Sequence, residues 1–386
     1  MDMKITRNTL INWSEKGNKI AIFCAGQIGV ATYEILKKCG VEVYCFFDND
    51  KKKFDKEIID GCFCRNAELI KDKDKYIIFI GILDHYYDEV EEKVKNRGFA
   101  NIANFIELFD DIIVNYPYLY MDLITWFQNY PLLEVFYVKN PNRNSEAFKY
   151  NVLEKKRIAV YTSVFGEYDN ISRIKIKPDN IDYYLVSDDE KGKINGYIWI
   201  DAKKIIPYSI TSPIKRNRYI KMHPHIIFPD YDYSIYLDGN IEIQEDISSF
   251  IRESNTGISV FMHPRRDCIF YEAITIVNFR RVSAKDVNEQ MGRYIKDEMP
   301  LHYGLPEMPV IAREHNKPIC KKIMNEWWEE FERGAQRDQL SFMYVMWKNN
   351  MGLNDISSLG SDFRKNKYLK VKSHKTISHK IKNESK

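Results

Sequence analysis

Short apolar runs alternating with amphipathic segments constrain this chain more than any other feature. "KIAIFCAG" (19–26) is too short for a core helix and rich enough in branched side chains for a buried strand. It is followed by the helical "IGVATYEILKKCG", closed by Gly40, and then by "VEVYCFFDND", "YIIFIGI" and the helical "YYDEVEEKVKNRGF". Strand and helix in strict alternation call for a parallel sheet, because parallel neighbours need a crossover between them. A Rossmann-like parallel domain is therefore expected over 1–108.

At Arg157 the same alternation restarts. "RIAVYTSVF", "IDYYLVSDDE", "GYIWID", "YSIYLDGNIEI", "GISVFMHP" and "PVIARE" read as strands. "SPIKRNRYIKMHPHIIF", "SAKDVNEQMGRYIKDEM" and "NEWWEEFERGAQRDQLSFMYVMWKN" read as helical. A second α/β domain is expected over 157–350. Residues 109–156 are expected to be a helical connector, and 351–386 a basic, mobile tail. At 386 residues, two domains are the natural division. Trp327, Trp328 and Phe331 are expected in the core.

A hydrophobic content of 44% excludes global disorder, and a net charge of +3 gives no reason to expect a nucleic-acid partner. No apolar window reaches membrane-spanning length and the N-terminus has no apolar signal core, so a cytoplasmic protein is expected. The seven cysteines are odd in number, and Cys62 and Cys64 lack the spacing of common zinc or redox pairs. They read as reduced thiols. From Asp362 onward nine Lys/Arg face two acids, which suits either a solubilising tail or peripheral contact with the inner membrane face.

Two places carry candidate chemistry. "CAGQIG" (24–29) joins a strand to a helix where a phosphate-binding turn would lie. Gly26 and Gly29 would allow close approach, and Asp48 ends the next strand where a ribose-binding acid is expected. A nucleotide in this domain is one reading; a Rossmann fold using its glycines for packing is the other. In the second domain, "YSIYLDGNIEI" ends on Asp238 and Asn240. Asp-Gly-Asn is a turn signal. It also places two oxygen-bearing side chains at i and i+2, on one side of a strand end, where open α/β sheets bind ligands. Such a pair suits a hard divalent cation, Mn²⁺ or Mg²⁺, bridging to a diphosphate. Upstream lie Lys215, Arg216, Arg218 and Lys221, able to stabilise a leaving diphosphate.

Resemblance adds to this. "FCAGQIGVATYEILKKCGVEVYCFFDND" resembles the Rossmann domains attached to bacterial sugar-modifying enzymes. "YTSVFGEYD", "FPDYDYSIYLDGNIEI", "HPRRDCIFYEA" and "RDQLSF", in that order over 158–348, resemble the plant mucilage-related glycosyltransferase-like family, formerly a domain of unknown function. The resemblance implies a GT-A-like fold and a glycosyltransferase using a nucleotide-sugar donor and a glycan or lipid-linked acceptor, in bacterial capsule or lipopolysaccharide synthesis. Asp238 would then meet the donor diphosphate through a metal, with Asn240 and His315 as further ligands. Asn240 departs from the second acid of the usual Asp-x-Asp motif.

Arg216, Arg218, Lys221, His263, Arg265 and Arg266 would grip phosphate or acceptor. Thr162, Asp188 and Asp189 would meet the nucleoside. Asp338 would act as base in an inverting reaction or orient substrates in a retaining one, with Glu307 and Glu272 as rival bases. A metal-dependent hydrolase and a non-catalytic scaffold are the alternatives.

Overall fold

The computed structural model describes residues 4–82, 86–130, 141, 156–166, 171–189 and 196–373. It divides into two compact units, Met1–Lys139 with Phe270–Leu301, and Asn140–Ile269 with His302–Lys386.

The first unit runs α1 (Arg7–Glu15), β1 (Lys19–Phe23), α2 (Gln27–Lys38), β2 (Cys45–Phe47), β3 (Glu57–Ile59), β4 (Cys62–Arg65), β5 (Tyr76–Ile80), α3 (Tyr87–Asn96), β6 (Asn101–Ala103), α4 (Phe105–Asn115) and α5 (Pro117–Asn129). Its sheet has the order β3-β4-β2-β1-β5-β6, and every pairing is parallel except β3 with β4. The expected parallel sheet is there. The antiparallel pair comes from a tight turn at Asp60 and Gly61, both in the left-handed region at φ 47° and 75°. That geometry matches the right-handed twist of a two-stranded ribbon.

Two expected boundaries move. Residues 109–129 are no separate connector, because α4 and α5 belong to the first unit together with Phe270–Leu301. Tyr120 donates to the Phe270 carbonyl at 2.8 Å, and the Asn278 amide donates to the Phe127 carbonyl at 3.0 Å. Glu272 therefore lies in the first unit. The rest of the expected connector, 131–140 and 142–155, lies outside the described residues.

The second unit contains β7 (Ile158–Val164), β8 (Ile181–Ser187), β9 (Ile198–Asp201), α6 (Pro213–Met222), α7 (Pro224–Ile227), β10 (Tyr233–Leu237), β11 (Ile241–Ile243) and β12 (Ile258–Met262). After α8 (Ile269–Asn278) and α9 (Ala284–Lys296), it continues with β13 (Pro306–Arg313), α10 (Pro318–Arg333), α11 (Asp338–Lys348), β14 (Ser357–Ser361) and β15 (Leu369–Val371). Seven strands form one sheet in the order β14-β12-β13-β10-β7-β8-β9; β11 and β15 form a separate antiparallel pair. β10, β7, β8 and β9 are mutually parallel, while β13 runs antiparallel between β10 and β12.

Period-two alternation assigns the faces. Ile158, Val160, Ile235, Leu237, Val310 and Ala312 pack with Ile241, Ile243 and Leu369. Tyr161, Tyr236 and Arg313 face the other way, where Tyr161 and Arg313 both donate to the Lys221 carbonyl at the end of α6, at 3.1 and 2.8 Å. Trp327, Trp328 and Phe331 are core residues of α10, as expected.

The tail expectation fails for 351–373. β14 pairs in parallel with β12, and β15 pairs with β11. "YLKVK" hides a half-buried strand, with Leu369 and Val371 on one face and lysines on the other. Residues beyond 373 lie outside the described residues.

Candidate active site

The parallel strands of the second unit end together. β7 stops at Val164, β8 at Ser187, β10 at Leu237, and β12, parallel to them through β13, at Met262. This carboxyl edge gathers Thr162, Asp188, Asp189, Asp238, Asn240, His263, Arg265 and Arg266, together with Glu307 at the start of antiparallel β13.

α6 supplies the bases. Pro213 sets its first turn, and the 3.6-residue period puts Asn217, Arg218 and Lys221 within one turn of each other. Lys221, only 1% exposed, places Nζ 2.5 Å from Asp338 Oδ2 and 3.9 Å from Asp238 Oδ1. Arg218 Nε lies 2.9 Å from the same Asp338 oxygen, but its N–H is not aimed along that line, so the contact is ionic rather than a hydrogen bond.

Asp338 opens α11 and is buried. Burial would raise its pKa; Arg218, Lys221 and Arg337 outweigh that and hold it well below the usual carboxylate range. Burial pulls Lys221 below its ordinary value against the raising pull of Asp338 and Asp238. Lys221 and Arg218 are thus both engaged by Asp338, and Lys221 also faces Asp238.

Asp238 is the more open acid, with a side chain 29% exposed. Its backbone N–H donates to the Pro309 carbonyl at 2.8 Å, which fixes the strand end against β13. Oδ1 accepts from the Tyr236 hydroxyl at 3.0 Å. Among the described residues no hydrogen bond reaches Oδ2.

Beside it, the Asn240 amide nitrogen donates to the Lys372 carbonyl at 3.0 Å, and the Lys372 N–H donates to the Asn240 carbonyl at 2.9 Å. The amide nitrogen is therefore spent on the C-terminal strand. Asp238 and Asn240 carry oxygen donors of the hard type that Mg²⁺ or Mn²⁺ takes, and would hold such an ion together with water and phosphate. Among the described residues no three His, Cys, Asp or Glu side chains cluster as a metal centre.

His315 is a correction. It follows β13, and the register pairs Arg313 with Ser234 but Val310 with Leu237, so it lies past the opposite end of β10 from Asp238. At ~3.4 Å per residue the separation is about 20 Å. Its Nε2 sits 2.9 Å from the Phe228 carbonyl, and burial lowers its pKa to about 4.

Glu307 is also otherwise engaged. Both its oxygens accept from Arg364, at 2.9 and 3.2 Å. Asp188 pairs with Arg216 at 2.6 Å, joining two candidates. His263 Nδ1 accepts the backbone N–H groups of Arg265 and Arg266 at 3.1 and 2.9 Å, while the buried Arg266 guanidinium lies 3.0 Å from Nε2. The carbonyl of Asp189 accepts from Ser187. Among the described residues, buried Thr162 Oγ1 has no hydrogen-bond partner.

In the first unit, two glycines, Gly29 of the dinucleotide-type turn and Gly81 beyond β5, allow close packing. A Cβ on Gly29 would meet the Cys24 carbonyl oxygen at 1.9 Å, and one on Gly81 would meet the Gly29 Cα at 2.5 Å. Gly26 faces open space. Asp48 Oδ2 accepts from the Ala25 N–H at 2.8 Å and from Lys53 at 2.7 Å, and Oδ1 accepts from the Asp50 N–H, so the carboxylate ties the loops after β1 and β2 together.

Sequence reading missed Tyr236, Asn217, Ser163 and Arg364. Asn217 donates to Ser163 at 2.9 Å (carbonyl) and 3.0 Å (hydroxyl). Tyr236 was within reach of the same i, i+2 rule that paired Asp238 with Asn240.

The model of the TOD1/MUCI70 glycosyltransferase-like domain matches residues 142–374. The chain belongs to that family. The match extends through β15, in keeping with the structured C-terminal strands. A curated Arabidopsis thaliana relative named "Probable hexosyltransferase MUCI70" is 24% identical over 266 residues, 61% of this chain and 46% of the relative, so the chain spans about half of that protein's length. Mouse xyloside xylosyltransferase 1 in its apo form is 11% identical, covering 53% of this chain and 84% of its own, with a TM-score of 0.32. The WbbM bifunctional glycosyltransferase is 12% identical, covering 71% and 51%, with a TM-score of 0.33. At such scores the structural likeness carries no argument.

Proposed function

We propose that the second unit transfers a glycosyl group from a nucleotide-diphosphate sugar to a hydroxyl acceptor. The observation that carries this is the pair Asp238 and Asp338, drawn to one strand edge and joined by Lys221, in a chain of a glycosyltransferase-like family. A leaving diphosphate needs its charge neutralised, and a divalent cation held by Asp238 with Asn240 would contribute to that. Arg216 and Asp188 then sit toward the nucleoside side, at the ends of α6 and β8.

Asp338 orients the donor sugar rather than deprotonating the acceptor. A carboxylate held far below its ordinary pKa is a weak proton acceptor. Glu307 and Asp188 are each bound to an arginine. The departing phosphate oxygen then serves as the base. The anomeric C–O bond to phosphate breaks, the acceptor oxygen bonds the same face, and its proton passes to that phosphate oxygen. The anomeric configuration is then retained.

A role in bacterial surface polysaccharide synthesis suits the attached Rossmann-like unit, and the lysine-rich C-terminal residues suit contact with anionic lipid, at about 1 kcal/mol per base. Among the described residues no helix is long and apolar enough to cross a membrane.

A panel of nucleotide sugars with glycan acceptors tests the proposal. Nucleoside diphosphate release should rise when acceptor is added, depend on Mn²⁺ or Mg²⁺, fall at least ~100-fold in Asp238→Ala, and give a product with the donor's anomeric configuration by NMR. Release indifferent to acceptor would instead mark a hydrolase. No turnover or binding with any donor would leave the scaffold reading.

A further inference from the structure

Asp238 carries the functional reading, yet nothing in its own turn explains what fixes its carboxylate. The backbone is pinned to Pro309, but the side chain is partly exposed and Lys221 Nζ lies beyond hydrogen-bond reach at 3.9 Å. The group that does reach it comes from two positions earlier in the strand. Tyr236 is fully buried, and its hydroxyl donates to Asp238 Oδ1 at 3.0 Å. The competing acceptor, Asn217 Oδ1, is farther away at 3.4 Å, and it already accepts from Arg218. Asn217 in turn is held by Ser163 through its amide nitrogen, so its carbonyl cannot rotate out of place. The Tyr236 ring is wedged between Tyr161, with centroids 5.3 Å apart, and the Lys221 ammonium 5.2 Å from its face.

We infer that Tyr236 is a positioning residue for the donor site: its hydroxyl occupies Asp238 Oδ1 and thereby leaves Oδ2 as the oxygen presented to the cation. This rests on the reading of Asp238 as a cation ligand. Tyr236 and Asp238 stand two residues apart at the end of β10, which places this hydroxyl on the side of the strand where Asp238 turns. Partners that hold a ligating carboxylate from behind set its orientation, and losing one costs about 10–100-fold in metal affinity.

Tyr236→Phe removes one oxygen and keeps the packed ring. The test titrates Mn²⁺ into the full chain, read by water-proton relaxation enhancement, for the wild type, Tyr236→Phe and Asp238→Ala, with the melting temperature of each recorded without metal. The expected result is binding by the wild type, none by Asp238→Ala, and an apparent Kd about 10–100-fold weaker for Tyr236→Phe, with Tyr236→Phe melting like the wild type. Wild-type affinity in Tyr236→Phe alongside lost binding in Asp238→Ala overturns the inference and leaves the reading of Asp238 standing. A Tyr236→Phe chain that fails to fold also overturns it, because the hydroxyl would then serve the core rather than the site. Equal binding by wild type and Asp238→Ala, or no binding by the wild type, removes the cation from Asp238 and takes this inference with it.

Discussion

At the scale of single residues, the sequence located acids and bases but not their partners. Asp238, Lys221, Arg218 and Asp338 were all legible as candidates, because a strand end, a basic helix and a helix start each leave a mark in the pattern. Whether a charged side chain is already paired leaves none. Glu307 and Arg364 are 57 residues apart, and only the sheet register brings them together. His315 misled for the same reason: its place beyond the wrong end of β10 follows from β13 running antiparallel, which no local pattern announces.

That misplaced histidine now makes a different prediction. Burial lowers its folded pKa to about 4 from the ordinary 6.5. The unfolded chain therefore takes up a proton first as pH falls, and stability drops from about pH 6.5 down to about pH 4 and is flat below. Between about pH 7 and about pH 5 the loss from this one group is on the order of 2 kcal/mol. Urea unfolding at those two values should show a smaller loss in His315→Gln, which keeps a donor for the Phe228 carbonyl; an unchanged difference would assign the acid sensitivity elsewhere.

At the scale of elements, strands and helices were readable where the period was clean, and boundaries were lost where turn chemistry decided. The β3–β4 hairpin had its Asp-Gly signal in plain sight, but its strands are three and four residues long and bury only Cys62 and Cys64. The glycines at the first βα turn show a motif whose position the pattern marks and whose packing only the tertiary fold reveals. Gly29 and Gly81 let α2 press its first turn onto β1 and β5, as helix–strand packing requires. Gly29→Ala should therefore destabilise the first unit by about 1–3 kcal/mol or more, since the added methyl meets backbone that has nowhere to move. Gly26→Ala, at an open helix cap, should cost less than about 1 kcal/mol. Thermal melts of both variants separate packing from ligand binding: equal, small effects would return Gly29 to the nucleotide-site reading.

At the scale of the whole molecule, the division into two α/β units was legible from the restart of the strand–helix alternation at Arg157, but their membership was not. A helical pair inside the second series belongs to the first unit, and a lysine-rich C-terminal stretch completes the second. Both errors share a cause: composition and order along the chain say which segments bury apolar faces, not which neighbour covers them. The C-terminal case can be tested by truncation. Residues 362–373 place Phe363 and Leu369, each 5% exposed, against the β11 side of the core, bring Arg364 to the buried Glu307, and fasten Lys372 to Asn240 beside Asp238. A chain ending at Ser373 should melt with the full-length protein, because every one of these contacts survives. A chain ending at Ser361 loses two buried large side chains, at about 1.5–3 kcal/mol each, and leaves Glu307 buried without its arginine. For a unit of this size that is a drop of roughly 10 °C or more. It should also lose Mn²⁺ binding, since the strand that holds Asn240 is gone. Equal melting of the two truncations would mean that the segment from Asp362 is an ornament on the fold, and Asn240 would then have to be held by its own turn alone.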